Sequence, residues 1–202
     1  EAIDIRNAEQ LGYRIKLLGI TRRTPAGIEL RVHPTLIPAR RLIANVEGAM
    51  NAVLVQGDAV GATMYYGKGA GAEPTASAVI ADLVDVTRMH TADPEHRVPH
   101  LAFQPDQLVD LPILPISEVH TSYYLRLRVQ DEPGVLADIM RVLADEKISI
   151  DAVVQKEPAE GEDEADLILL THLTMEKRAN AAIARLEKLM VVVGKVTRIR
   201  ME

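Results

Sequence analysis

Residues 123 to 201 limit the fold more than any other part of the chain, because their apolar spacing switches between a period of two and a period near 3.6 in a fixed order. "YYLRLRV" puts Tyr123, Leu125, Leu127 and Val129 on one face of a strand, and "PGVLADIMRVLADEK" gathers Val135, Leu136, Ile139, Val142 and Leu143 on one side of a helix. "ISIDAVV" then alternates through Ile148, Ile150, Ala152 and Val154. After the acidic turn "KEPAEGEDEAD" come a strand "LILLTHL", a helix "MEKRANAAIARLEKLM" and a strand "KVTRIRM". The order βαββαβ in about 80 residues predicts a split-βαβ, ferredoxin-like unit over 120–202, with four strands and two helices on one face.

Upstream, prolines 94, 99, 105, 112 and 115 exclude a helix from Thr91 to His120 and make 92–119 a connecting segment. The first portion, 1–91, opens with a short helix from Ile3 to Leu11, which Gly12 ends. Two hairpins follow. "YRIKLLGITRR" and "GIELRVHPTLI" flank the turn "TPAG", and His33-Pro34 should end their pairing, since proline has no donor for the ladder. Residues 40–50 allow only a short helix. "NAVLVQGDAVGATMYYG" predicts the second hairpin, turning at "QGD" with Val53, Val55, Val60 and Met64 as core candidates. "PTASAVIADLVDVTRMH" is helical, with Pro74 in its first turn and a stripe of Val79, Ile80, Leu83, Val84 and Val86. The fold class is α+β: a mixed-sheet portion, then the βαββαβ domain.

An apolar content of 48% in 202 residues fills a real core, so disorder is not the default. The net charge of −6 divides evenly between residues 1–119 and 120–202, which excludes a nucleic-acid footprint on either half. Without cysteine there are no disulfides and no thiolate metal sites. No apolar run approaches the roughly 20 residues of a membrane span, and a cytoplasmic protein without membrane partners is expected. The opening "EAIDIRN" has no initiator methionine and already lies inside a helix, as a piece of a longer chain would.

Three glycines in "YYGKGAGAEPTASAV" invite a nucleotide-binding reading, because Gly67, Gly69 and Ala72 satisfy G-x-G-x-x-G/A between a strand and a helix. A dinucleotide crossover needs a second parallel strand, yet this helix runs into "TADPEHRVPH". On spacing alone a tight strand-to-helix turn is preferred, and a loop lending amides to a cofactor held mainly elsewhere stays open. "DEPGVL", 131–136, places proline and glycine at a helix start whose amides could accept a carboxylate, or forms an ordinary loop. His90, His96 and His100 read as solvated linker histidines rather than metal ligands, and His172 as a strand residue among leucines. "GEDEAD" lacks calcium-ligand spacing, and Arg14 and Lys16 read as surface charges.

"LGYRIKLLGI", "GIELRVHPTLIP", "ANVEGAMNAVLVQGDAVG" and above all "YYGKGAGAEPTASAVIADL" resemble homoserine dehydrogenase after its cofactor domain. "YYLRLRVQDEPGVLADIMRVLADEKISI" resembles an ACT domain, and "FQPDQLVDLPILPI" resembles the segment joining the two in bacterial members. The resemblance implies hydride transfer between NAD(P) and the couple of L-homoserine and L-aspartate 4-semialdehyde, on the route to threonine, methionine and isoleucine. It implies that Gly69, Ala70 and Gly71 lie near the cofactor while Gly67 and Thr75 shape the loop. For the ACT domain it implies an amino-acid effector, with threonine expected, at Asp131, Pro133, Gly134 and Val135, opposite Ile148, Ser149 and Ile150, with Gln155 added. A homodimer or homotetramer is implied as well.

The family's Rossmann fingerprint and its catalytic lysine and carboxylates match nothing in these residues, so no catalytic residue is assigned and the chain alone is expected to be inactive. The rival reading is a stand-alone amino-acid sensor without catalysis.

Overall fold

The computed structural model describes residues 1–92, 103–156, 158 and 161–202. It divides into two compact units whose limits differ from the sequence boundaries: 1–40 with 111–202, and 41–110.

The first unit holds helix α1 (Ala2–Gln10) and strands β1 (Tyr13–Thr24) and β2 (Gly27–Pro38). It also holds the βαββαβ run: β5 (His120–Gln130), α3 (Val135–Asp145), β6 (Ile150–Gln155), β7 (Glu164–Thr171), α4 (Glu176–Leu186) and β9 (Val192–Met201). The two-residue strand β8 (Thr174–Met175) pairs with β5. Sheet order is β1-β2-β9-β5-β7-β6, so the ferredoxin-like order is present and the first hairpin extends it through a short parallel pairing, Thr35↔Arg200 and Leu36↔Met201. That junction has no signature in the sequence, since it joins segments at opposite ends of the chain.

One face of the sheet is as expected: Tyr123, Leu125, Leu127 and Val129 pack with Ile139, Leu143, Leu167, Leu169, Ala182 and Leu186. Leu136 is the exception, 40% exposed. The other face is not open, as two helices on one side would leave it. Tyr124, Ile168 and Leu170 are buried there with Ala8 and Leu36, and α1 packs against them. At about 1.5–3 kcal/mol for each large apolar side chain buried, this second layer is a substantial part of the fold.

Pro34 does not end the first hairpin; it pairs with Leu17, and β2 continues to Pro38. The reason is the side on which its nitrogen lies. Ile28 donates to Pro112 O at 2.8 Å and accepts from Leu114 N at 2.9 Å, so the backbone groups of Ile28, and of every second residue after it, face away from β1. Pro34 shares that phase, and β9 pairs with β2 only from Thr35 onward, so no ladder bond needs its donor. The same bonds bring part of the connecting segment along β2, as a parallel bridge between Ile28 and Ile113. Gly27 permits this: its φ is +144°, and a Cβ there would collide with the Pro112 carbonyl.

Glu29, Arg31, His33 and Thr35 are the buried phase of β2, with Arg31 paired to Glu202. Burial lowers the His33 pKa, the bond to the Pro34 carbonyl opposes this, and Arg200 and Arg31 lower it further. A histidine held neutral when folded favours unfolding once solution pH falls below its unfolded value of 6.5. Stability is therefore expected to drop between pH 6.5 and the lower folded value, and His33→Gln should flatten that part of a urea-midpoint profile. An unchanged slope in the variant would assign the drop to another group.

The second unit contains a 3-10 turn (Leu42–Asn45), strands β3 (Met50–Gln56) and β4 (Ala62–Lys68), and helix α2 (Ala72–Thr91). Its hairpin turns through Gly57–Gly61, wider than "QGD", with Gly57 N bonded to Gly61 O at 2.9 Å. The expected core does not form: Val53, Val55 and Val60 are exposed, Val60 by 74%, and Met64 is half-buried. The α2 stripe from Val79 to Val86 is exposed too. Among the described residues neither the hairpin nor α2 has its apolar face covered by another element, so neither stripe becomes a core.

Candidate functional site

Two stretches chosen from the sequence fall at helix starts. Gly67 lies inside β4, opposite Asn51, rather than in the loop itself. Gly69 follows the strand, and a Cβ there would strike the Asn51 side chain, so the loop depends on close approach at this point. Gly71, with φ +125°, caps α2 and accepts from Thr75 N at 3.1 Å. Thr75 thus spends its amide within the helix, leaving those of Ala72 and Glu73 at the open end, since Pro74 has none. An open depression there is lined by Lys68, Ala70, Gly71, Glu73, Pro74 and Ser77.

Exposed amides and a lysine fit an anionic group approaching the backbone, while the Glu73 carboxylate works against it. Among the described residues no strand follows α2 to complete a parallel crossover. The loop can lend contacts to a dinucleotide but does not form a dinucleotide fold.

At the second stretch, Asp131 accepts from Gln155 Nε2 at 2.9 Å, and its own amide donates to Asp163 O at 2.9 Å. Residues from the β5–α3 loop and the end of β6 therefore meet directly. Pro133 leads into Gly134, which is left-handed at φ +97°, caps α3 and accepts from Asp138 N at 3.1 Å. Val135 and Ile148 are buried in the apolar core, so they shape the site from beneath. Ser149 is exposed and its carbonyl accepts from His172 N at 2.9 Å, while half-buried Ile150 opens β6 opposite Thr171. β6 is the last strand of the sheet, so one side of its backbone has no partner strand among the described residues.

His172 is not a strand residue; β7 ends at Thr171 and the ring is exposed. His90 sits in the last turn of α2, while His96 and His100 lie outside the described residues. Among the described residues no three acidic or histidine side chains group as a metal site would require. No helix there is long and apolar enough to cross a membrane.

Three buried polar groups escaped the sequence reading. Glu176 accepts from Tyr123 Oη at 2.7 Å and from Arg200 at 2.6 and 2.8 Å, with Arg198 at 2.9 Å. Asp4, at the back of the sheet, is bonded by Arg126 at 2.7 Å and by the Tyr124 hydroxyl at 3.1 Å. Burial pushes the Tyr124 hydroxyl up to about 12. Asn7 completes that group, donating to Tyr124 Oη at 3.1 Å. Asp4 and Asn7 are carried on α1, which packs on the back of the sheet and encloses them with Tyr124, while Glu176 is enclosed on the opposite face between the start of α4, Tyr123 and Arg200.

Residues 1–84 match the family model described as homoserine dehydrogenase, and residues 123–189 match that of the ACT domain. The homoserine dehydrogenase of Pseudomonas aeruginosa is 60% identical over 199 residues, a match covering 98% of this chain and 46% of that protein. That of Neisseria gonorrhoeae is 57% identical over the same length and shares. The crystal structure of a homoserine dehydrogenase from Thiobacillus denitrificans superposes with a TM-score of 0.91 at 72% identity, over 99% of this chain and 45% of that one. The chain thus spans about half the length of the curated relatives it matches.

Proposed function

Since the chain belongs with the homoserine dehydrogenases, as their C-terminal region followed by an ACT domain, we propose that it forms the cofactor-contacting and regulatory portion of such an enzyme. The reaction is NAD(P)-dependent interconversion of L-homoserine and L-aspartate 4-semialdehyde, in a cytoplasmic homodimer or homotetramer. The loop Gly67–Gly71, with Thr75 at the first helical bond, contributes backbone to a cofactor held mainly by a separate dinucleotide-binding domain. The ACT domain takes an amino-acid end product, with threonine the expected effector.

The observation that carries the regulatory part is the pairing of Asp131 with Gln155 beside the Gly134 cap of α3. A carboxylate and a helix start with unspent amides, side by side at a sheet edge, match the ammonium and carboxylate of an amino acid.

A thermal-shift series with L-threonine, L-isoleucine, L-methionine and L-serine tests it. A ligand at about a hundred times its dissociation constant stabilises the state it binds by roughly 2.7 kcal/mol, which raises the midpoint of a chain this size by several degrees. L-threonine should give the largest rise, and Gly134→Val should abolish it. If no amino acid moved the midpoint, the effector site would be lost from the proposal.

A further inference from the structure

Gln155 and Lys156 are consecutive residues at the end of β6, and their side chains make bonds in two different places. Gln155 holds Asp131 in the β5–α3 loop. Lys156 Nζ donates to Asn7 Oδ1 at 2.6 Å and to Gln10 Oε1 at 3.1 Å, both on α1 across the back of the sheet. Its backbone amide is fixed to Asp166 O at 3.0 Å, so the side chain swings from a held point.

Asn7 is 1% exposed and already gives its amide to Tyr124 Oη, which in turn donates to Asp4. Without Lys156 the buried Asn7 carbonyl loses this donor, and buried polar groups are seldom left so. From α1 the chain passes directly into β1, the outer strand of the hairpin that joins the sheet. A displacement of the end of β6 thus reaches the loop through one residue and the first helix through the next.

The structure assigns Lys156 the role of coupling residue between the 131–135 loop and α1, so that a change at the loop alters how firmly α1 is held. Its regulatory meaning rests on the amino-acid-effector reading; the link itself does not.

Hydrogen exchange on this chain tests the link without any ligand. Gln155→Ala releases the loop end, and with Lys156 present it should speed exchange of the amides from Arg6 to Leu11 by about threefold or more, the scale of coupling between residues in one hydrogen-bonded network. In a Lys156→Met background the same substitution should still speed exchange at the loop and have no further effect on α1. Lys156→Gln, which keeps a polar end but falls short of α1, serves if the methionine variant folds poorly. A merely structural lysine would loosen α1 in every background, so that Gln155→Ala acted by the same factor with and without it. That result overturns the assignment, as does an α1 indifferent to Gln155→Ala in the Lys156 protein.

L-threonine supplies a second arm. It should slow exchange at both loop and α1 in the parent chain and at the loop alone in Lys156→Met; equal slowing of α1 in both overturns the link. No effect of L-threonine anywhere counts against the effector reading, and the first arm still decides the link.

Discussion

Glu176→Ala is expected to destabilise the ACT-bearing unit by about 3–5 kcal/mol, the usual penalty for removing one partner of a buried ionic group. With total stabilities of roughly 5–15 kcal/mol, such a loss leaves little of the fold in reserve. The carboxylate is 2% exposed and answers three donors, so its removal strands the Tyr123 hydroxyl and the Arg200 guanidinium in the interior. Its position as the first residue of α4 adds a favourable interaction with the helix start. Urea denaturation followed by tyrosine fluorescence would measure the change. A shift below about 1 kcal/mol would mean that water replaces the lost partner and that the group is less enclosed than it looks.

The same carboxylate has a pH signature. Burial would raise its pKa, but the bonds from Arg200 and Tyr123 and the charge of Arg198 outweigh burial and hold it below its ordinary 4.5. A depressed folded value means that the contribution is complete above the unfolded value and drains away as pH falls below 4.5 through the folded one. Glu176→Gln should lack that acid slope. The His33 loss begins higher, below 6.5, so the two effects separate along one titration.

The chain alone is expected to show no homoserine-dependent reduction of NAD+ or NADP+ above background. Hydride transfer needs nicotinamide and substrate held in contact, and positioning of that kind is worth about 10⁵–10⁸ in effective molarity. The described residues offer backbone at Gly69–Gly71 and a lysine beside it, without the crossover that would seat a dinucleotide. A spectrophotometric assay at 340 nm with saturating L-homoserine decides this. Turnover that survived Gly69→Val, a change that collides with Asn51, would show the chemistry to lie elsewhere in the chain.

The βαββαβ run was legible because strand and helix periods alternate cleanly there, and Tyr123 to Val129 with Val135 to Leu143 predicted the main core except for Leu136. The second core was not, although "LILL" in β7 carried a hint: unbroken apolar residues mark a strand buried on both faces. What covered the back face lay more than a hundred residues away, in a short helix that reads as amphipathic and unremarkable. Pro34 failed for a related reason, since the rule against proline in a ladder depends on which neighbour its nitrogen faces. The valines of the second hairpin were apolar in the right phase, but phase says nothing about whether a layer exists to receive them. At the candidate effector site the loop and helix cap could be read from Pro133 and Gly134. The bond to Gln155 and the reach of Lys156 required the sheet.

The parallel pairing of β2 with β9 also sets an order of assembly. Thr35 leaves the ribosome long before Arg200, and until β9 exists neither the edge of β2 nor the full second core can close. Contacts this distant in sequence slow folding and keep apolar surface open while it proceeds. Before β9 is made, the Thr35–Leu36 edge of β2 has no strand beside it and Tyr124 lacks its Ile199 and Met201 neighbours, so apolar surface that the folded unit hides stays open to aggregation until that strand arrives.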